Sequence, residues 1–139
     1  MKKAAFHAIV FAVALSGCAA NLLHVDNGNP YNPVVTVVDD LAIKVEPDPL
    51  RFLKHEQNVR ITWQIPSESR YTFTEDGIVI RETSGATTSA RTEFRCGRDQ
   101  DPRKFSCLNK HTGPGKYKYI IKVEGPHQIP PLDPIIDNY

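Results

Sequence analysis

The chain has 139 residues, with 17 Lys and Arg against 16 Asp and Glu, a formal net charge of +1, and 40% apolar residues. That length holds one small domain and a tether, and excludes a second domain of comfortable size. The near-neutral charge excludes nucleic acid, or any other strongly charged polymer, as an obligate partner.

Met1-Lys2-Lys3 opens the chain, an uncharged apolar stretch runs from Ala4 to Leu15, and Leu15-Ser16-Gly17-Cys18 follows. The stretch is well short of the roughly 20 apolar residues that a membrane span requires, so it reads as an export signal. Leu15-Ser16-Gly17-Cys18 resembles the lipobox of bacterial lipoproteins. The resemblance implies that residues 1–17 are a lipoprotein signal peptide and residues 18–33 a lipidated tether. On that reading the Cys18 thiol carries diacylglycerol, and the new amino group is acylated. Two or three acyl chains, at about 0.8 kcal/mol per buried methylene, make dissociation from a bilayer negligible. For a Gram-negative source, Ala19, where an aspartate would favour the inner membrane, points to the outer membrane facing the periplasm. The alternative is an ordinary signal peptide: Cys18-Ala19-Ala20 offers the small residues that a conventional signal peptidase accepts, and a cut after Ala20 releases a soluble protein. Loss of residues 1–17 leaves 122 residues and, with Lys2 and Lys3 gone, a formal charge of −1.

Residues 19–33 hold Asn21, Asp26, Asn27, Gly28, Asn29, Pro30, Asn32 and Pro33, turn-forming types without an apolar period. From Val34 the period becomes two. Val34–Val38 is a β-branched run, Leu41, Ile43 and Val45 alternate with Ala42 and Lys44, and Glu46-Pro47-Asp48-Pro49 reads as an edge or loop segment. Val59 to Ile65 is the clearest strand, apolar at every second residue, and Pro66 ends it. Tyr71 to Ile80 carries strand residues around Asp76-Gly77, a turn or bulge. Thr83 to Thr92 has little to bury and reads as a mobile loop.

Phe94-Arg95-Cys96 and Phe105-Ser106-Cys107 each place an aromatic two residues before a cysteine, so ring and sulfur share a face in extended chain. With lipid on Cys18, the other two cysteines form an even pair in an oxidising compartment, and a Cys96–Cys107 disulfide is expected. Closing a loop of about ten residues is worth roughly 3 kcal/mol on the chain-entropy model. After Gly113-Pro114-Gly115, residues Tyr117, Tyr119, Ile121 and Val123 fall on one face and Lys116, Lys118 and Lys122 on the other. Gly125 to Asn138 contains Pro126, Pro130, Pro131 and Pro134 and reads as an extended surface tail.

About six to eight short strands at about ten-residue spacing, with no helix after residue 17, indicate an all-β Greek-key sandwich. Its expected bounds are residues 34–124, followed by a tail at 125–139, with Trp63, Phe73, Tyr119 and the sulfur pair at its centre. The element order resembles small cupredoxin-like and immunoglobulin-like sandwiches, the former through Gly115-Lys116-Tyr117-Lys118-Tyr119. It departs from blue-copper proteins at the ligands: Ile121 stands about where their cysteine would be, and the only methionine is Met1. No cofactor is therefore expected.

Other constellations have plain structural readings. Cys107-x₃-His111, with His127 or His55, has metal-ligand residue types, but Cys96 is the better partner for Cys107. His24, His55, His111 and His127 are read as surface or loop residues. Asp99-x-Asp101 lacks the glycine and distal glutamate of a calcium loop. No nucleophile elbow, zinc-protease motif or phosphate loop is present, so the chain is read as non-catalytic. The stapled Gly97–Ser106 loop, with Arg98, Asp99, Gln100, Asp101, Arg103 and Lys104, is the candidate recognition element. Lys116, Lys118 and Lys122, together with Lys110, form either a solvated sheet face or a cationic patch for a glycan or acidic protein. The expected function is a lipid-anchored binding or structural module of the envelope, partnered by the membrane and by an envelope protein or glycan. Its rivals are a copper- or zinc-handling protein using histidines, and an inhibitor or immunity protein acting on an envelope hydrolase.

Overall fold

A computed structural model describes residues 28–139. The expected signal, Cys18, His24 and most of the expected tether lie outside the described residues. The elements in order are β1 (Val34–Val38), β2 (Ala42–Glu46), β3 (Leu50–Phe52), β4 (Val59–Gln64), β5 (Thr72–Glu82), α1 (Ala90–Glu93), β6 (Phe94–Arg98), β7 (Lys104–Asn109), β8 (Gly115–Glu124) and β9 (Ile135–Asn138). They form a five-stranded sheet in the order β2-β1-β4-β7-β6 and a four-stranded sheet in the order β3-β9-β8-β5. The two sheets give the expected all-β sandwich. No described helix is long and apolar enough to cross a membrane.

Alternation drives the strands as the residues dictate. In β8 the side chains of Tyr117, Tyr119, Ile121 and Val123 are buried while Lys116, Lys118 and Glu124 are exposed, and in β4 Ile61 and Trp63 are buried on the opposing sheet. Trp63 meets Tyr119 across the core at a ring separation of 5.2 Å, and Phe73 meets Phe105 at 5.9 Å. Burial pushes the Tyr119 phenol well above its usual range, against the opposing influence of the nearby Trp63 indole. Neither the phenol oxygen nor the indole nitrogen has a well-formed hydrogen bond, so the aromatic centre holds two polar atoms by packing alone.

Asp76-Gly77 belongs to a bulge within the long strand β5, where pairing jumps from Phe73↔Val123 to Ile78↔Ile121. Only glycine fits at position 77, because an added Cβ would stand 2.8 Å from the Phe73 Cβ. Asp39 and Asp40 both take positive φ in the β1–β2 turn, closed by the Leu41 amide donating to the Val38 carbonyl at 3.0 Å. Leu41, placed by its alternation with Ile43 and Val45 on a buried face, is instead 74% exposed at this tip.

Three expectations require correction. The Pro-rich segment 125–139 is not a surface tail: Ile135–Asn138 forms β9, an inner strand between β3 and β8, and Ile136 is fully buried. The prolines precede the strand, so none has to donate a ladder hydrogen bond. The 83–92 segment is tied down, with Thr83 Oγ1 donating to Lys116 O, Thr87 Oγ1 to Pro114 O and the Tyr117 hydroxyl to Thr88 O, and it leads into the single helical turn α1. Polar side chains here bond backbone carbonyls where apolar ones are lacking. Only Cys107 of the sulfur pair is buried, because β6 is an edge strand and leaves Cys96 exposed.

Candidate functional site

Strands β6 and β7 make the hairpin that carries the expected recognition loop. Cys96 faces Cys107 directly in the ladder, and the two are joined as a disulfide with a Cα–Cα distance of 4.0 Å. The pairs Gly97↔Ser106 and Arg98↔Phe105 continue the hairpin beyond the disulfide, so only Asp99–Arg103 is a true turn. Asp99 Oδ2 accepts from the Ser106 hydroxyl at 2.9 Å, and Asp101 Oδ1 accepts from the Arg103 amide at 2.9 Å. The turn is braced against the sandwich by Phe73 N donating to Pro102 O and Ile65 N donating to Arg103 O, both at 2.9 Å. Arg103 reaches Ser69 O at 3.4 Å, and its buried Nε has no partner among the described residues. Most of the loop's charge is therefore spent on its own frame. Gln100, Asp101 and Lys104 remain as the exposed groups of the tip.

The cationic groups are also engaged. Arg98 pairs with Glu75 and lies 3.7 Å from Glu124, while its Nη1 donates to Phe73 O. Lys122 meets Asp76 at 2.5 Å, Lys118 meets Asp133 at 2.9 Å and Lys116 meets Asp137 at 3.8 Å. Arg98 and Lys122 pair with consecutive residues of the β5 bulge, Glu75 and Asp76, whereas Lys116 and Lys118 lie farther along the outer face of the four-stranded sheet. The hydrogen bond from Lys122, then that from Thr74, holds the Asp76 carboxyl below its usual range. At the same end Asp40 is held low chiefly by the Tyr71 hydroxyl, with Arg70 2.7 Å away and His127 at 3.8 Å. Of the seven lysine and arginine positions expected in the loop surface or the patch, Arg98, Lys116, Lys118 and Lys122 are thus paired within the fold and Arg103 reaches a backbone carbonyl.

The other end of the sandwich contains what the sequence reading missed. His111, read as a surface or loop histidine, is buried at 3% exposure in a turn with φ of 50°. Its Nδ1 lies 2.9 Å from Glu56 O and its Nε2 3.0 Å from Tyr139 O, so the ring ties three chain segments together. Neither nitrogen is directed at a thiolate, and Cys107 is disulfide-bonded. Among the described residues no group of three His, Cys, Asp or Glu side chains gathers around a common point. Asn109 and Asn138 exchange two amide hydrogen bonds in the interior, at 2.9 and 3.2 Å. Glu93 is fully buried and accepts from both the amide and the hydroxyl of Thr112 at 2.6 Å. An open groove of about 340 Å³ lined by Lys54, Gln57, His111, Thr112, Pro114 and Tyr139 lies over His111 and Thr112.

One of these groups had a sequence signal: Asn109 continues the inward series Phe105, Cys107, and a polar residue at an inward position calls for a buried partner. Glu93 and His111 are buried only by the three-dimensional meeting of α1, the 110–114 turn and Tyr139. Known protein-family models, curated protein sequences and solved structures yield no match to the chain.

Proposed function

We propose that this protein is a lipid-anchored lipoprotein of the cell envelope, facing the periplasm from the outer membrane, and that its β-sandwich acts by binding rather than by turnover. The observation that carries the reading is the Cys96–Cys107 disulfide. A disulfide suits an oxidising compartment, and pairing Cys96 with Cys107 uses the other two cysteines of the chain, which supports Cys18 of Leu15-Ser16-Gly17-Cys18 as the residue for acylation. The partner surface is the Asp99–Arg103 turn, where Gln100, Asp101 and Lys104 stand exposed on a frame already ordered by the disulfide and the hairpin ladder. A tip ordered in advance loses little entropy on contact, which suits recognition of an envelope protein or glycan.

Intact mass and membrane fractionation test the anchor. Diacylglycerol on Cys18, with loss of membrane attachment in Cys18→Ser, is the expected result. An unmodified Cys18 in the isolated protein overturns the reading. Crosslinking in intact cells from Lys104, compared with a Gln100→Ala/Asp101→Ala/Lys104→Ala variant, tests the tip. The expected crosslinked partner disappears in the variant, and an unchanged crosslinking pattern assigns recognition elsewhere.

A further inference from the structure

The Tyr31 side chain, near the start of the described residues, reaches the end of the sandwich built from residues 53–58, 110–114 and 138–139. Tyr31 packs on Phe52 at a ring separation of 5.8 Å and its hydroxyl donates to Glu56. Asn58 N donates to Lys110 O at 3.2 Å, and Tyr139 N to Phe52 O at 3.0 Å, which fixes these segments as one surface. Leu53 is 54% exposed there and Tyr139 50% exposed, two of the few large apolar side chains left in water. Lys54, His55 and Lys110 accompany them, and none takes part in an ion pair among the described residues.

The carboxyls of these loops and of the adjoining α1 are taken up by hydrogen bonds, Glu56 half-buried and Glu93 fully buried. Glu56 accepts from the Tyr31 hydroxyl and the Leu53 amide, and Glu93 is buried against Thr112. The opposite end is different in kind, with Asp40, Glu68, Glu75, Asp76, Asp99 and Asp101 among its cations. The two ends therefore differ in charge, one with cations outside any ion pair and the other rich in carboxylates, while exposed apolar side chains stand at both, Leu53 and Tyr139 at the first and Val38 and Leu41 at the second.

We infer that the Leu53–Lys54–Lys110–Tyr139 end is a membrane-contact surface, which rests on the lipid anchor proposed above. Leu53 and the Tyr139 ring enter the headgroup layer, and Lys54 and Lys110 extend to lipid phosphates. Ten residues from Cys18 to Gly28 reach at most about 36 Å, so acylation holds Gly28, three residues before Tyr31, within that distance of the bilayer. At such confinement a weak contact is populated, because attachment has already supplied a high effective concentration. Tyrosine suits the interface by its apolar ring and polar tip, and lysine by an apolar stem under a charged head. Each cation near an anionic surface strengthens association about fivefold, and that gain is screened by salt.

The test is lysine acylation footprinting of the full-length protein on phosphatidylethanolamine vesicles with and without phosphatidylglycerol, with intact mass read on the same preparation. With anionic lipid, Lys54 and Lys110 lose labelling by about fivefold or more relative to Lys104, and high salt restores it. In Leu53→Asp/Lys110→Glu, Lys54 labels as freely as Lys104 while the protein stays with the vesicles. Equal labelling of Lys54 and Lys104 on anionic vesicles, with lipid present on Cys18, overturns the contact surface and leaves the anchor standing. A mass without lipid on Cys18 overturns the anchor. The released chain mixed with the same vesicles then decides the surface, with protection of Lys54 supporting it and equal labelling overturning it.

Discussion

Truncating Ile136 to alanine distinguishes an inner strand from a surface tail. Ile136 is fully buried, with Tyr117 opposite it on β8 and Leu50 opposite it on β3, both also fully buried. Removing three carbons forfeits roughly 2.4 kcal/mol at ~0.8 kcal/mol per methylene. A residual void of ~50 Å³ between two sheets that cannot close freely adds roughly 1 kcal/mol at the observed cavity cost. The expected loss is therefore about 3–4 kcal/mol. Ile135→Ala is the internal control, since Ile135 is 37% exposed and faces the other way, and it should lose less than about 1 kcal/mol. Equilibrium urea unfolding followed by far-ultraviolet circular dichroism and Trp63 fluorescence measures both. Equal losses in the two variants, or a loss below about 1 kcal/mol in Ile136→Ala, would refute the placement of β9 inside the sheet.

Three further outcomes are expected. Cys96→Ala/Cys107→Ala, whose disulfide spans a sequence separation of 11, should lose roughly 3 kcal/mol and show a larger urea m value, because the unfolded chain is freed. An unchanged m value would place the effect in the folded state instead. Glu93→Ala leaves the Thr112 amide without its acceptor and should cost about 1–3 kcal/mol, measured by the same unfolding, whereas an exposed neighbour such as Arg91→Ala should cost little. Asp40, Glu56, Asp76 and Glu82 are all held below the ordinary carboxyl range, Glu56 chiefly by the Tyr31 hydroxyl and Glu82 chiefly by backbone amides. Their stabilisation is complete above the ordinary carboxyl pKa of about 4 and fades as pH falls through the lowered values. Urea midpoints should hold steady from neutral pH to about 5 and drop below about 4, less steeply in Asp40→Asn/Glu56→Gln. Equal midpoints at neutral pH and at about pH 3 would contradict that sign.

What was legible in the sequence follows from range. Alternation is a local signal, and it was strong where a strand has one wet face, as in Val59–Gln64 and Gly115–Glu124. The cysteine pair was legible because only two cysteines remained once Cys18 was set aside, and direct opposition in the β6–β7 ladder makes the bond. Trp63, Phe73 and Tyr119 were expected in the core and are there, since large aromatics on inward positions have nowhere else to go. The short strands Leu50–Phe52 and Ile135–Asn138 were not legible. At three and four residues they offer too few repeats for a period, and Leu50–Phe52 exists through parallel pairing with Ile135–Asn138 across a sequence gap of more than 80 residues. His111 was misread for the same reason, because its burial is set by Glu56 and Tyr139 rather than by its neighbours in sequence.

Orientation follows from the strands themselves. Strand β4 runs from Val59, level with Asn109 at the basic end, to Gln64, level with Lys104 beside the hairpin turn. Six residues at about 3.3 Å each carry the chain roughly 20 Å, so the Asp99–Arg103 turn stands about that much farther than Val59 from the basic end, which the Tyr31 side chain reaches. Rigidity makes that separation matter. The basic end is locked by the Asn109–Asn138 pair, the Glu93–Thr112 bonds and the His111 ring, each of which would leave a buried polar group unpaired if the loops shifted. A tip fixed to the same strands inherits that orientation, so an anchor and a contact at one end would aim the exposed groups Gln100, Asp101 and Lys104 away from the membrane without any contact of their own.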